Sequence, residues 1–143
     1  MRDIELDEYL IAMNRAFRTL TAGPDGILDD SGLGRAHHRA LFVIRRETGI
    51  SIGRLATLLD VTNQALHKTL GPLLKQKLVR AEPSPEDARG KCLFLTQTGV
   101  RLEERISGMQ HEVFRLVARD SGQQAMREWL AIMERIVERS GKS

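Results

Sequence analysis

Thr62-Asn63-Gln64-Ala65-Leu66-His67-Lys68-Thr69 gathers amide, imidazole and ammonium groups within about two helical turns. These side chains suit nucleic-acid bases. An Asn or Gln amide can hold adenine through two hydrogen bonds, while Lys and His can donate to guanine or to a phosphate. At helical spacing Leu66, Leu70, Leu73 and Leu74 form an apolar side, which turns Asn63, Gln64, His67 and Lys68 outward near the helix start. That end of a recognition helix enters the groove. Thr62 and Asn63 also have a plainer role open to them, as caps of the same helix.

A second group sits on the turn Pro83-Ser84-Pro85-Glu86-Asp87-Ala88-Arg89-Gly90. Arg89, at its tip, suits a narrow A·T-rich minor groove, whose negative potential attracts guanidinium groups. Asp87 would be repelled by phosphate and is expected to hold the turn and orient Arg89. Ser51, Arg54 and Lys91 complete the candidate DNA-binding set. Arg54 and Lys91 are either phosphate contacts or solvated surface charges, and Ser51 can cap the helix that follows it.

These groups need two short helices and a hairpin to position them. A helix over 53–59, a turn at Asp60-Val61 and a helix over 63–76 supply the first part. Strands at Val79–Glu82 and Lys91–Leu95, joined by the charged turn, supply the second. Ile50-Ser51-Ile52 reads as a short strand or an extended connection. The spacing is that of a winged helix-turn-helix.

Flanking helices surround this lobe. Leu6, Leu10, Met13, Phe17 and Leu20 recur at intervals of three and four residues and predict a helix over 4–21. Gly23-Pro24-Asp25-Gly26 is expected to end it, with loop continuing through Asp29-Asp30-Ser31-Gly32. A second helix runs over 34–47 and ends at Gly49 in a left-handed cap. Thr96 caps a long helix reaching Asp120, with Leu102, Ile106, Met109, Val113, Leu116 and Val117 on one face. Beyond Ser121-Gly122 a last helix carries Met126, Trp129, Leu130, Met133, Ile136 and Val137. The terminal stripes close on one another or on a second copy; pairing two reading units over two half-sites favours a homodimer. Trp129 then lies in the core or the dimer interface.

Charge and composition agree with this reading. The chain has 143 residues and net charge +3, yet residues 1–32 sum to −4, residues 33–95 to +6 and residues 96–143 to +1. The positive excess lies over the suspected reader, as counterion release from phosphates requires. Aromatics are 4% of residues, too few for single-strand stacking platforms. The one cysteine, Cys92, allows no internal disulfide and fits a packed thiol better than a redox sensor. The acidic start lacks the apolar core of a signal peptide, and the apolar runs are too short to span a bilayer, so a cytoplasmic protein without membrane attachment is expected. No phosphate-binding glycine loop, nucleophile elbow or metal set is visible. No catalytic residue, metal or cofactor is therefore expected, and the chain is read as a non-enzyme.

The chain resembles the MarR family of bacterial transcription regulators. The resemblance rests on Leu55-Ala56-Thr57-Leu58-Leu59-Asp60-Val61, the helix exit from Leu73 to Val79, the Asp87-Ala88-Arg89-Gly90 turn and Leu95-Thr96-Gln97-Thr98-Gly99. It implies a mainly α fold with a small β-hairpin wing: a winged helix-turn-helix lobe (50–95) flanked by N- and C-terminal dimerisation helices (4–49 and 96–140). It further implies an obligate, triangular homodimer on a pseudo-palindromic double-stranded DNA operator, often as a repressor, with a small effector between dimer region and lobes.

Arg35, His37, His38 and Arg39 form the candidate effector-binding set, suited to an anionic or aromatic ligand; a structural role for the two histidines is the competing reading. Adjacent histidines point about 100° apart on a helix, which argues against zinc. Two positions depart from the family pattern. Lys77 stands where glycine is common, and a lysine in a left-handed cap costs about 1 kcal/mol. Gly71-Pro72 falls inside the recognition helix and is expected to kink or loosen it. A winged-helix module that binds protein instead of DNA is the alternative.

Overall fold

The computed structural model describes residues 1–87 and 89–141; Ala88, within the Asp87–Gly90 turn, lies outside the described residues, as do Lys142 and Ser143. The elements run α1 (Asp3–Asp30), α2 (Arg35–Arg46), β1 (Ile50–Ser51), α3 (Ile52–Leu59), α4 (Asn63–Lys75), β2 (Val79–Pro83), β3 (Lys91–Leu95), α5 (Gln97–Ser121) and α6 (Gln123–Ser140). The chain forms two compact units, Met1–Met109 and Gln110–Ser143. The fold is mainly helical with a small antiparallel sheet, as the resemblance implies.

In the first unit the sheet order is β1-β3-β2. Ile50 faces Leu93, and Val79 faces Leu95 at the base of the hairpin. Leu41, Ile44, Leu55, Leu66, Leu70, Leu73, Leu93 and Ile106 are at most 2% exposed and form one core. That core begins earlier than residue 50. Ala40, Leu41 and Ile44 of α2 lie in the same core as Leu66, Leu70 and Leu73 of α4.

Local sequence chemistry places the turns. Ser51 Oγ accepts from Arg54 N at 3.1 Å and starts α3; Thr62 Oγ1 accepts from Ala65 N at 3.0 Å and starts α4. Between them Asp60 takes φ +53°, tolerable for an Asp, and closes the sharp turn. Gly49 ends the α2 connection at φ +85°. Lys77 takes φ +57°, the strained cap anticipated from the missing glycine. Thr96 Oγ1 accepts from Gly99 N at 3.1 Å, which caps α5, and a Cβ on Gly99 would collide with the Leu78 carbonyl.

Three sequence expectations are corrected here. Gly23-Pro24-Asp25-Gly26 does not end the first helix: α1 continues to Asp30. Thr21, Pro24 and Leu28, spaced three and four apart, form a buried stripe, and the packing of that stripe overrides the weak local propensity. The bare Cα of Gly23 also leaves room for the end of the Met109 side chain. Gly71-Pro72 does not interrupt α4 either, which stays helical through Pro72 to Lys75. A proline inside a helix costs about 3 kcal/mol. Leu70 and Leu73 flank it at 2% and 0% exposure, and fully burying two leucines returns roughly 3–6 kcal/mol. Leu74, assigned to the buried side, is 41% exposed because it lies at the flank of the stripe defined by Leu66, Leu70 and Leu73.

The second unit comprises the later part of α5 and all of α6. Phe114 and Trp129 meet there with ring centroids 5.8 Å apart. No described residue of α6 is buried.

Candidate nucleic-acid interface

The recognition helix α4 presents a clean polar face. Thr62, Asn63, Gln64, His67 and Lys68 are all exposed, while Leu66 and Leu70 on the opposite side are buried. No acidic residue occurs in the first turn, so the positive end of the helix dipole is unopposed. Thr62 spends its hydroxyl on the cap.

The wing is held by short hydrogen bonds around its tip. Ser84 N donates to Gly90 O at 3.0 Å and Gly90 N to Asp87 O at 3.0 Å. The Asp87 carboxylate accepts from Arg89 N at 2.9 Å, which ties the acid to the backbone of the turn. The Arg89 side chain is exposed and, among the described residues, forms no ion pair; the same holds for Lys68 and Lys91. Further down the hairpin, Arg80 stacks over Phe94 at 4.3 Å and pairs with Glu82.

Arg54 differs from these cations. Its Nε and Nη2 donate to the two Glu47 carboxylate oxygens at 2.7 and 2.9 Å. The Arg54 hydrogen bonds hold the Glu47 carboxyl below its ordinary range, and the same contact raises the Arg54 value.

Arg35, His37, His38 and Arg39 each have a hydrogen-bond partner within the first unit. Arg35 forms a two-pronged ion pair with Asp25, 2.8 Å at the shorter contact, and lies over the Phe17 ring at 5.2 Å. His37 Nδ1 accepts from Gly34 N at 2.9 Å. His38 Nε2 lies 3.3 Å from Ser107 Oγ, and Arg39 reaches the Leu59 carbonyl at 3.4 Å. Burial lowers the pKa of both histidines.

Sequence reasoning missed the strongest electrostatic feature of the unit. Glu103 on α5 is 1% exposed and meets Arg45 at 2.9 Å and Arg46 at 2.7 Å, both from the end of α2. Ser107 Oγ donates to the same carboxylate at 2.6 Å. Because that proton is committed, His38 Nε2 must be the donor toward Ser107. Burial pushes the Glu103 carboxyl up, but the Ser107 hydroxyl and the two guanidiniums outweigh it and hold it below the ordinary value. The Arg45-Arg46 and Glu103-Glu104 pairs were the only hint, and nothing local says that they meet.

With this geometry in place, the relatives are informative. A family model described as the MarR family matches residues 31–90. Across 138 residues the chain is 36% identical to the HTH-type transcriptional regulator PetP of Rhodobacter capsulatus, covering 96% of this chain and 83% of PetP. The chain belongs to the MarR family. It is a helix-turn-helix transcriptional regulator of that family. Among solved structures, MarR of Staphylococcus aureus in complex with salicylate and kanamycin superposes with a TM-score of 0.76 at 24% identity, over 99% of this chain and 93% of that one. The S. aureus MepR–DNA complex gives 0.70 at 17% identity, over 91% and 96%. Both likenesses concern the fold. Within this MarR-family chain, α3 and α4 are the helix-turn-helix and β2–β3 is the wing.

Proposed function

We propose that this regulator is a homodimeric repressor that sets the start of α4 in the major groove of a pseudo-palindromic operator and Arg89 in the flanking minor groove. The observation that carries the reading is the α4 surface. Asn63, Gln64, His67 and Lys68 stand exposed at a helix start free of acid, beside a hairpin whose Arg89 is unpaired among the described residues. Asn63 and Gln64 supply the amides for adenine, and His67 and Lys68 the donors for guanine or phosphate. Asp87 positions Arg89 through the turn, and Lys91 adds a phosphate contact.

MepR of S. aureus has been captured on DNA with the same fold, which favours a DNA partner over a protein one. The protein-binding alternative drew on an interrupted recognition helix, and α4 is continuous. S. aureus MarR has been captured with salicylate, so a small anionic aromatic effector is the natural candidate for modulating this chain. Arg35, His37, His38 and Arg39 are already engaged within the unit, and an effector reaching any of them would have to displace those contacts.

A gel shift with the promoter adjoining the protein's own gene tests the proposal. Wild type is expected to retard that fragment, and Arg89→Ala to weaken binding by roughly tenfold at physiological salt with circular dichroism unchanged. Equal retardation by both proteins would remove Arg89 from the interface; no retardation by wild type on any promoter fragment would return the protein-binding reading.

A further inference from the structure

Glu47 is the residue that follows α2, and its backbone is fixed on both sides. Its N–H donates to Val43 O at 2.8 Å, and its carbonyl accepts from Ile50 N at 3.0 Å. An acid at a helix C-terminus stands against the helix dipole, where a cation is favoured. Arg45 and Arg46 in the last turn of α2 follow that preference, and Glu47 opposes it.

What Glu47 does with its charge is specific. Its carboxylate takes the Arg54 fork at both ends, the parallel geometry in which a guanidinium also takes a phosphate. Both side chains are well exposed, at 59% for Arg54 and 38% for Glu47. The pair borders a groove that runs past Ser51 to the turn end of the wing at Pro83, Ser84 and Glu86. Among the described residues, the charged side chains lining that groove are Arg54 and three acids: Glu47, Glu82 and Glu86. Its lone cation is thus occupied, and the remaining charge is negative.

We propose that Glu47 sets the strength and salt dependence of DNA binding: it occupies the Arg54 fork as an internal stand-in for a phosphate and so removes one backbone contact from DNA binding. The inference rests on the DNA-binding reading above. Sequence-independent affinity comes from cations that displace counterions from phosphates. An Arg54 already neutralised by Glu47 displaces none, and the bared carboxylate would face the DNA backbone if Arg54 let go. Affinity is lowered about equally for every sequence, while the base-reading face of α4 is untouched.

Fluorescence anisotropy of the full-length protein tests this over a potassium chloride series, with a random-sequence duplex and an own-promoter duplex as probes. Glu47→Gln is expected to steepen the dependence of log affinity on log salt by about one. It should also tighten binding to both probes severalfold, with the ratio between them little changed. Adding Arg54→Gln to Glu47→Gln should restore the wild-type slope. The proposal is overturned if the double variant keeps the steeper slope of Glu47→Gln, since the cation freed for phosphate would then not be Arg54. It is equally overturned if Glu47→Gln lowers the melting temperature without changing the slope, because Glu47 would then only brace the connection to α3. If wild type binds the own-promoter duplex and Arg89→Ala weakens it, a failure here belongs to Glu47 and not to the DNA-binding reading.

Discussion

Glu103 shows how much of the lobe depends on one carboxylate. It is buried on α5, and its oxygens are taken by Ser107, Arg45 and Arg46, so its negative charge is matched on every side described. Its folded pKa lies below the ordinary glutamate value of 4.5. Linkage then gives the sign: the stability it contributes is fully present above that ordinary value and is lost as pH falls through the depressed one. Glu103→Gln keeps the shape and removes the charge. Arg45 and Arg46 are partly exposed and can rehydrate, which places the loss at pH 7 at the lower end for a broken buried pair, about 3 kcal/mol. Urea unfolding at pH 7 and again near pH 4 measures both effects, with the gap between variant and wild type narrowing at the lower pH. An equal gap at both values would mean that the charge of Glu103 is not what it contributes. The exposed polar start of α4 was legible in the sequence because capping and a leucine stripe orient that helix by local rules alone. Glu103 was not, because its arginine partners lie almost sixty residues away and charge pairs carry no periodicity.

At the scale of elements, what was legible and what was not divides along the same physical line. The helical stripes, the capping residues Ser51, Thr62 and Thr96 and the hairpin all follow from short-range chemistry and stand where that chemistry puts them. The two proline sites do not. Pro24 and Pro72 are strong local signals for a break, yet both helices run through them because neighbouring side chains are buried on the core. Packing is a property of the assembled lobe and is invisible to a window of ten residues. Lys77 is the converse case, where the local signal holds and the chain carries the strain: φ is +57° on a residue with a Cβ. Its carbonyl accepts from Thr96 Oγ1, and its N–H donates to Leu74 O at 3.1 Å, so the strained turn joins α4 to β2 and anchors the start of α5. Lys77→Gly is therefore expected to stabilise the protein by about 1 kcal/mol, read as a higher urea midpoint with unchanged slope. An unchanged or lower midpoint would mean that the freedom glycine gains in the unfolded chain outweighs the strain relieved.

For the whole molecule the exposed apolar surface is the remaining argument. On α1, Ile4, Leu6, Tyr9, Leu10, Ile11, Met13 and Phe17 are 44–69% exposed, and on α6 Trp129, Leu130, Ile132, Ile136 and Val137 are 45–71% exposed. Monomeric proteins rarely leave such runs open to water, and helices of this kind bury their stripes against a partner. The residues belong to the two ends of the chain, which suits a symmetric pair in which each copy covers the same surfaces of the other. Sedimentation equilibrium of wild type at micromolar concentration is expected to give twice the chain mass. Leu10→Glu combined with Leu130→Glu should shift the species toward the monomer mass, because two carboxylates would have to enter the buried seam. DNA binding provides the second reading of the same experiment. A single lobe reads one half-site, so the variant should lose most of its affinity for a two-half-site operator while retaining weak, salt-sensitive binding. A wild-type protein that sediments at the monomer mass would sink the paired reader. In that event the open faces of α1 and α6 would require a different occupant, and the exposed start of α4 would have to read its site alone.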